Sequence, residues 1–274
     1  MYRRFHGLMK LAVVLFLLGL LLLPAVGSAS AGKPTPKPTP GPTATPGPAG
    51  PAFITLGFDD GYADQYQVRS LLVEHGMRAT FYIISADTGT DGYMTWGQIA
   101  DLYADGHEIG GHSLTHAHLG SLSGQALRQE VCGNRVDLFE HGFQPVSFAC
   151  PYGDYDDESR QALIDCGYNT GRMVWGAPET VPPADAFLTR AYTSVRRSTS
   201  LSRLQSYVTE TEACGGCWGQ IILHHVCDGC NTYAISYDTL HAFLDWLKAR
   251  SAFGTLVRTA GEVIGGPVSP PVGP

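Results

Sequence analysis

From residue 53 onward, short apolar runs alternate with amphipathic segments, and this alternation restricts the possible folds more than any other feature of the chain. Apolar runs read as strands at Phe53–Phe58, Thr80–Ile84, Glu108–Gly111, Val146–Ala149, Tyr168–Arg172, Thr189–Thr193, Gln220–His225 and Thr255–Arg258. Between most of them, apolar residues recur at helical spacing. Val68, Leu71 and Leu72 share one face of Tyr66–His75; Leu127, Val131, Val136, Leu138 and Phe139 mark a helix through Glu140; Leu240, Phe243, Leu244 and Leu247 mark another. About eight strand–helix units in one domain predict an α/β fold, a single distorted (β/α) barrel of seven or eight parallel strands. An open doubly wound sheet is the fallback. No glycine-rich phosphate loop follows the first strand, so a nucleotide site is not expected.

The first 51 residues differ in kind. Arg3, Arg4 and Lys10 precede an apolar run from Leu11 to Leu23, and small residues ending Ala29-Ser30-Ala31 follow. The run is shorter than the roughly 20 residues that span a bilayer as a helix, so residues 1–31 read as a cleaved export signal rather than an anchor. Residues 32–51 are a Pro/Thr tract. Proline fixes φ and donates no hydrogen bond, so the tract reads as a disordered, semi-extended linker. Residues 52–266 read as one catalytic domain and 267–274 as a flexible tail. The expected location is extracellular or at the cell wall.

The partition changes the meaning of the charge. The whole chain has 18 Lys+Arg against 25 Asp+Glu, but five of the bases precede residue 52 and none of the acids does, leaving −12 on the body. Such a body repels phosphate backbones and anionic headgroups, so nucleic acid is excluded as a partner and a neutral or cationic one fits better.

All seven cysteines lie in the exported part, where disulfides are the default. Cys214-x-x-Cys217 and Cys227-x-x-Cys230 have the spacing of a zinc knuckle. The apolar GQIILHH between them reads as a strand, however, and at about 3.3 Å per residue the pairs fall roughly 20 Å apart. Each pair is therefore expected to close on itself, with Cys132–Cys166 as the long-range bridge and Cys150 free.

Chemistry in such barrels gathers where strands end. Asp59 and Asp60 close the first strand, His112 the third, Pro151-Tyr152-Gly153 follow the fourth, and His224-His225 end the seventh. His112 and His116, four residues apart after a glycine pair, suit convergence on one ion. An Asp/His/His set with open positions fits a divalent metal, zinc first, with cobalt, nickel, manganese or iron also compatible. Metal-assisted amide or ester hydrolysis then needs a base and an acid, for which the second carboxylate and His225 are suitably placed.

LGFDDGY at 56–62, GHEIGGHSLTH at 106–116, FACPYG at 148–153 and IILHH at 221–225 resemble the ordered motifs of the polysaccharide deacetylases, the NodB-homology carbohydrate esterases. The resemblance implies Asp59 as catalytic base and Asp60, His112 and His116 as metal ligands. It also implies His225 as general acid, and Tyr152 as oxyanion donor through its backbone N–H. His224 is expected to point to the opposite face. Many family members carry an arginine where Ala149 stands here, and Arg172 is the expected substitute. The family's Asp-x-x-Asp-Trp motif is not evident; Asp245-Trp246 lies out of order, with Trp246 expected to pack on its helix. Pro151, Tyr152, Arg172 and Trp175 are the expected substrate-binding residues, with Tyr93, Trp96 and Tyr155 as further candidate sugar platforms.

The expected function is a secreted, monomeric, metal-dependent deacetylase of a glycan containing N-acetylglucosamine: poly-N-acetylglucosamine, chitin-type or peptidoglycan. A xylan O-acetyl esterase of the same fold and a catalytically silent wall-binding domain are the alternatives.

Overall fold

The computed structural model describes residues 50–274; the proposed export signal and nearly all of the Pro/Thr linker lie outside them. Parallel strands run through β1 (Ala52–Phe58), β2 (Thr80–Ile83), β3 (Glu108–Gly111), β4 (Ser147–Ala149), β5 (Thr170–Arg172), β6 (Trp218–Leu223) and, late in the chain, β9 (Thr255–Val257). Their spatial order is β5-β4-β3-β2-β1-β6. β1 is central: β6 pairs along its length, β9 pairs with Ala52–Ile54, and β2 pairs with Gly57 and Phe58. Helices α1 (Val68–His75), α2 (Trp96–Ala104), α5 (Asp157–Asp165), α6 (Leu201–Cys214), α7 (Tyr237–Ala249) and α8 (Ala260–Ile264) connect or follow the strands. Helix α3 (Gly124–Arg128) continues through a π-helical turn at Gln129–Gly133 into α4 (Asn134–Glu140), the long helix read from the sequence. A short parallel pair, β7 (His225–Val226) with β8 (Ala234–Ile235), stands apart from the main sheet.

Ile54, Leu56 and Phe58 of β1, with Ile221 and Leu223 of β6, face a core completed by Leu71 and Leu72 of α1, Leu204 and Val208 of α6, and Leu240, Phe243 and Leu244 of α7. These side chains are almost wholly removed from water, and burying a side chain of this size stabilises the fold by about 1.5–3 kcal/mol before the entropy of ordering is counted. The barrel interior is narrow. A Cβ at Gly110 would lie 2.7 Å from the Tyr82 ring and 2.8 Å from Ser147 Oγ, so β3 approaches its neighbours only because this position lacks a side chain.

Thr189–Thr193 is not a regular strand. The Thr189 N–H donates to Gly171 O and the Met173 N–H to Thr189 O, but the Tyr192 and Val195 N–H groups donate to Gln220 O and Ile222 O. The segment crosses from β5 to β6, so no ladder forms on either side, yet it spans the gap between the sheet's ends. β6 is shifted by two residues from the expected span: it begins at Trp218 and ends at Leu223.

Cysteine pairing follows the reading from spacing. Cys132–Cys166, Cys214–Cys217 and Cys227–Cys230 are disulfides and Cys150 is a buried free thiol. The C-terminal residues have no regular structure but are held: the buried Arg135 guanidinium donates to Ser269 O at 2.8 Å and to Pro270 O at 3.1 Å. No helix of the described residues is long and apolar enough to cross a membrane.

Candidate active site

The strand ends gather around a cavity of about 610 Å³. Asp60 sits two residues beyond the end of β1, next to Asp59. Its Oδ1 lies 3.2 Å from His112 Nε2 and 3.3 Å from His116 Nε2, is buried, and makes no hydrogen bond. His112 follows β3 directly, and its Nδ1 lies 2.7 Å from Ala149 O. A carbonyl can only accept, so Nδ1 carries a proton and Nε2 is the nitrogen turned toward Asp60. His116 is set by a local turn in which its backbone N–H donates to Ser113 Oγ at 2.9 Å. One carboxylate and two imidazoles thus converge, with donor atoms all within 4.8 Å of one another. The orphaned Asp60 oxygen and the fixed His112 tautomer suit a divalent cation. Burial on its own would raise the Asp60 carboxyl, but the two imidazoles outweigh it and hold the group well below the usual carboxylate range.

The backbone concentrates strain here. Among the described residues, the non-glycine positions with positive φ are Asp60 (77°), Ser113 (64°), His116 (61°) and Tyr152 (59°). Each such conformation costs of order 1 kcal/mol or more and persists only where the surroundings impose it. All four lie in the motifs that converge on this cavity.

Asp59 is held by two elements. Arg172 Nη2, at the end of β5, donates to Asp59 Oδ1 at 2.8 Å and to Oδ2 at 2.6 Å, and both side chains are buried. The expected substitution for the missing family arginine is therefore present in space: a guanidinium from the next strand reaches the same carboxylate. Gln65, fully buried, donates its side-chain amide to the carbonyls of Asp59 and His224, fixing the ends of β1 and β6 relative to each other. Nothing in the sequence distinguishes Gln65 from an ordinary polar loop residue.

The two histidines after β6 are exchanged relative to the reading from sequence. His224 Nε2 is 4.0 Å from Asp59 Oδ2, while His225, also on the cavity wall, has Nδ1 2.8 Å from Asp64 Oδ2 and its ring stacked on Tyr62 at 3.8 Å. Strand phase explains the exchange. Ile221 and Leu223 pack outward into the helix-facing core, so the next alternate position, His224, faces the barrel interior with Gln220 and Ile222. Burial pushes the His224 imidazole below its ordinary range, opposed by the Asp59 and Asp60 carboxylates.

The expected substrate-binding residues divide. Tyr152 and Trp175 line the cavity and are more than half exposed. Pro151 is buried behind the turn, and Arg172 is committed to Asp59; neither lines the cavity. Tyr93 packs on Tyr62, Trp96 stacks on His141, and Tyr155 stands off the cavity wall. Trp246 packs against the core from α7, as its helical position suggested. Thr193, Ser194, Arg196, Asn231 and Tyr233 complete the wall. They come from irregular segments, which carry no periodic signal. Cys150 lies at the cavity base, where burial pushes its thiol up to about 12.

Comparison with known proteins agrees with this geometry. The family model described as polysaccharide deacetylase matches residues 47–171. The Bacillus subtilis protein YxkH, named for the same family, is 31% identical over 121 residues, which are 43% of this chain and 43% of that protein. A peptidoglycan-N-acetylglucosamine deacetylase of Bacillus cereus is 27% identical over 124 residues, 44% of this chain and 56% of the relative. The chain thus spans about half the length of these relatives. Among solved structures, one from Mycobacterium smegmatis titled for the family superposes with a TM-score of 0.60 at 15% identity. It covers 83% of this chain and 96% of its own, a likeness of fold.

Proposed function

Proceeding from a chain that belongs, over residues 47–171, to the polysaccharide deacetylase family, we propose that it hydrolyses acetamide groups of a glycan containing N-acetylglucosamine, outside the cell that makes it. The observation that carries this reading is the convergence of Asp60, His112 and His116 beside the Arg172-held Asp59 and His224 in one cavity. Asp60, His112 and His116 would hold the divalent ion, which when bound lowers the pKa of water and polarises a carbonyl oxygen.

The chain's own residues supply the rest. Asp59 accepts the proton of the attacking water, and Arg172 holds its carboxylate aimed. The Tyr152 backbone N–H, presented by a positive-φ turn, donates to the oxygen that gains charge as the acetyl carbon becomes tetrahedral. His224, which lines the same cavity, donates a proton to the departing amine. The two imidazole positions beyond β6 are thereby divided: His224 takes the acid role first expected of His225, and His225 braces the wall through Asp64 and Tyr62. Trp175 and the Tyr152 ring offer apolar faces at the cavity mouth on which sugar rings stack. Residues 1–31 direct export and residues 32–51 space the domain from the cell surface.

The test is acetate release from N-acetylglucosamine oligomers and matched O-acetylated xylo-oligomers, with and without zinc or cobalt. Release from the N-acetyl series that disappears on chelation and in Asp59→Asn supports the proposal. Release from the O-acetyl series alone assigns the chain to esterases. Release that survives both chelation and Asp59→Asn overturns the mechanism, and no release from any acetylated glycan with metal bound leaves the binding-domain reading.

A further inference from the structure

A second cluster outside the cavity repeats the donor set of the first. His75 ends α1, and His241 and Asp245 lie one turn apart on α7, which packs against α1. His75 Nδ1 is 2.7 Å from Leu71 O, and since the carbonyl can only accept, this nitrogen carries the proton. His75 Nε2 is thereby turned toward Asp245 Oδ1, 3.0 Å away, the nitrogen a neutral ring would offer to a metal ion. Asp245 Oδ2 lies 3.8 Å from His241 Nε2, and the three donor atoms fall within 4.8 Å of one another. Adjacent ligands around a tetrahedral zinc ion with bonds of about 2.0–2.1 Å stand about 3.3 Å apart.

We propose that His75, His241 and Asp245 form a second site for a divalent transition-metal ion, tying α1 to α7 on the outside of the barrel. Three observations support it. The Asp245 carboxylate and the two ring nitrogens bring three potential ligand atoms from two helices within 4.8 Å of one another. The device that fixes the ring, Nδ1–H to a backbone carbonyl, is the one seen at His112 with Ala149. His75 is buried, whereas His241 and Asp245 are exposed enough to admit an ion and water from solvent. The remaining candidate cluster, Asp64, His225 and Cys230, lacks this chemistry because Cys230 is committed to a disulfide. None of the three residues lines the cavity, so the ion would brace two helices and take no part in acetate release. The inference does not depend on the proposed function.

Isothermal titration of metal-stripped protein with zinc alone tests it, comparing the native chain with His241→Ala, Asp245→Asn and His112→Ala. The variants avoid the buried His75, whose loss would disturb the core. The expected result is one zinc equivalent that vanishes in His241→Ala and Asp245→Asn but persists in His112→Ala, where zinc still raises the melting temperature. His241→Ala should release acetate as the native chain does. Zinc stoichiometry unchanged by His241→Ala overturns the proposal, whatever happens at the cavity. A zinc equivalent lost only in His112→Ala does so as well, and leaves the cavity reading intact.

Discussion

Arg172 reaches from the end of β5 to place one Nη2 between both oxygens of Asp59 at the end of β1, at 2.8 and 2.6 Å, with the pair buried. Residues 113 positions apart thus form the ion pair on which the proposed base depends. Asp59 and Asp60 are neighbours in sequence with separate partners: a guanidinium for the first, two imidazoles for the second. That division allows one carboxylate to accept a proton while the other binds a cation.

Replacing Arg172 with Met should cost about 3–5 kcal/mol, because it leaves a buried carboxylate without its countercharge. Denaturant unfolding measures the loss. Acetate release should collapse in the same variant, while Arg172→Lys recovers more stability than activity, since an ammonium cannot reproduce the guanidinium's geometry. Activity of Arg172→Met equal to the native level would show that Asp59 needs no such partner.

His224→Ala should lower kcat by about 10²–10⁴-fold, the usual worth of a positioned acid or base. His225→Ala should do less, acting through the Tyr62 and Asp64 contacts that shape the wall. Steady-state kinetics on an N-acetylglucosamine oligomer separates the two. The reverse ranking would return the acid role to His225.

His107, at the start of β3, is buried and accepts the Ala79 N–H on Nδ1 at 3.2 Å, so its ring is held neutral. Burial pushes its pKa down to about 4, below the ordinary value near 6.5. The unfolded chain takes up this proton at a higher pH than the folded one. Stability from this residue is therefore complete above about pH 6.5 and falls by up to about 3 kcal/mol as the pH drops to about 4. Denaturation midpoints between pH 7 and pH 4 should converge less steeply in His107→Asn; parallel curves would refute the assignment.

The Cys132–Cys166 bridge closes a loop of 34 residues between the π-helical turn and the end of α5. Chain-entropy arithmetic gives about 4 kcal/mol for a loop of this size. The double variant Cys132→Ala/Cys166→Ala should melt roughly 8–16 °C lower in calorimetry, by the usual scaling for a domain of about 200 residues. A shift within 2 °C would show that the bridge constrains neither state.

Much of this was legible from local pattern. Strand ends at Phe58 and Gly111 followed from apolar runs interrupted by polar residues, and the His112–His116 spacing announced a shared ligand. The short disulfides followed from distance along a strand. Thr189–Thr193 was legible as extended chain, but its division of hydrogen bonds between β5 and β6 depends on where those strands lie. Gln65 carried no signal, because a glutamine that staples two strand ends looks in sequence like one that faces water.

The sequence alone determined the alternation of strands and helices, the two short cysteine pairings by proximity, and the residue types that can bind a cation and move a proton. These depend on spacing along the chain, which backbone geometry converts directly into distance. Only the tertiary structure decided which histidine faces Asp59 and brought the expected Arg172 onto both of its carboxylate oxygens. Both depend on strand phase and on the order of strands across the sheet. Ile221 and Leu223 of β6 pack against the helices, so the alternate position, His224, faces Asp59 in place of His225. The arginine that Ala149 lacks arrives from β5 because β4 and β5 are paired in register, with Ala149 opposite Arg172.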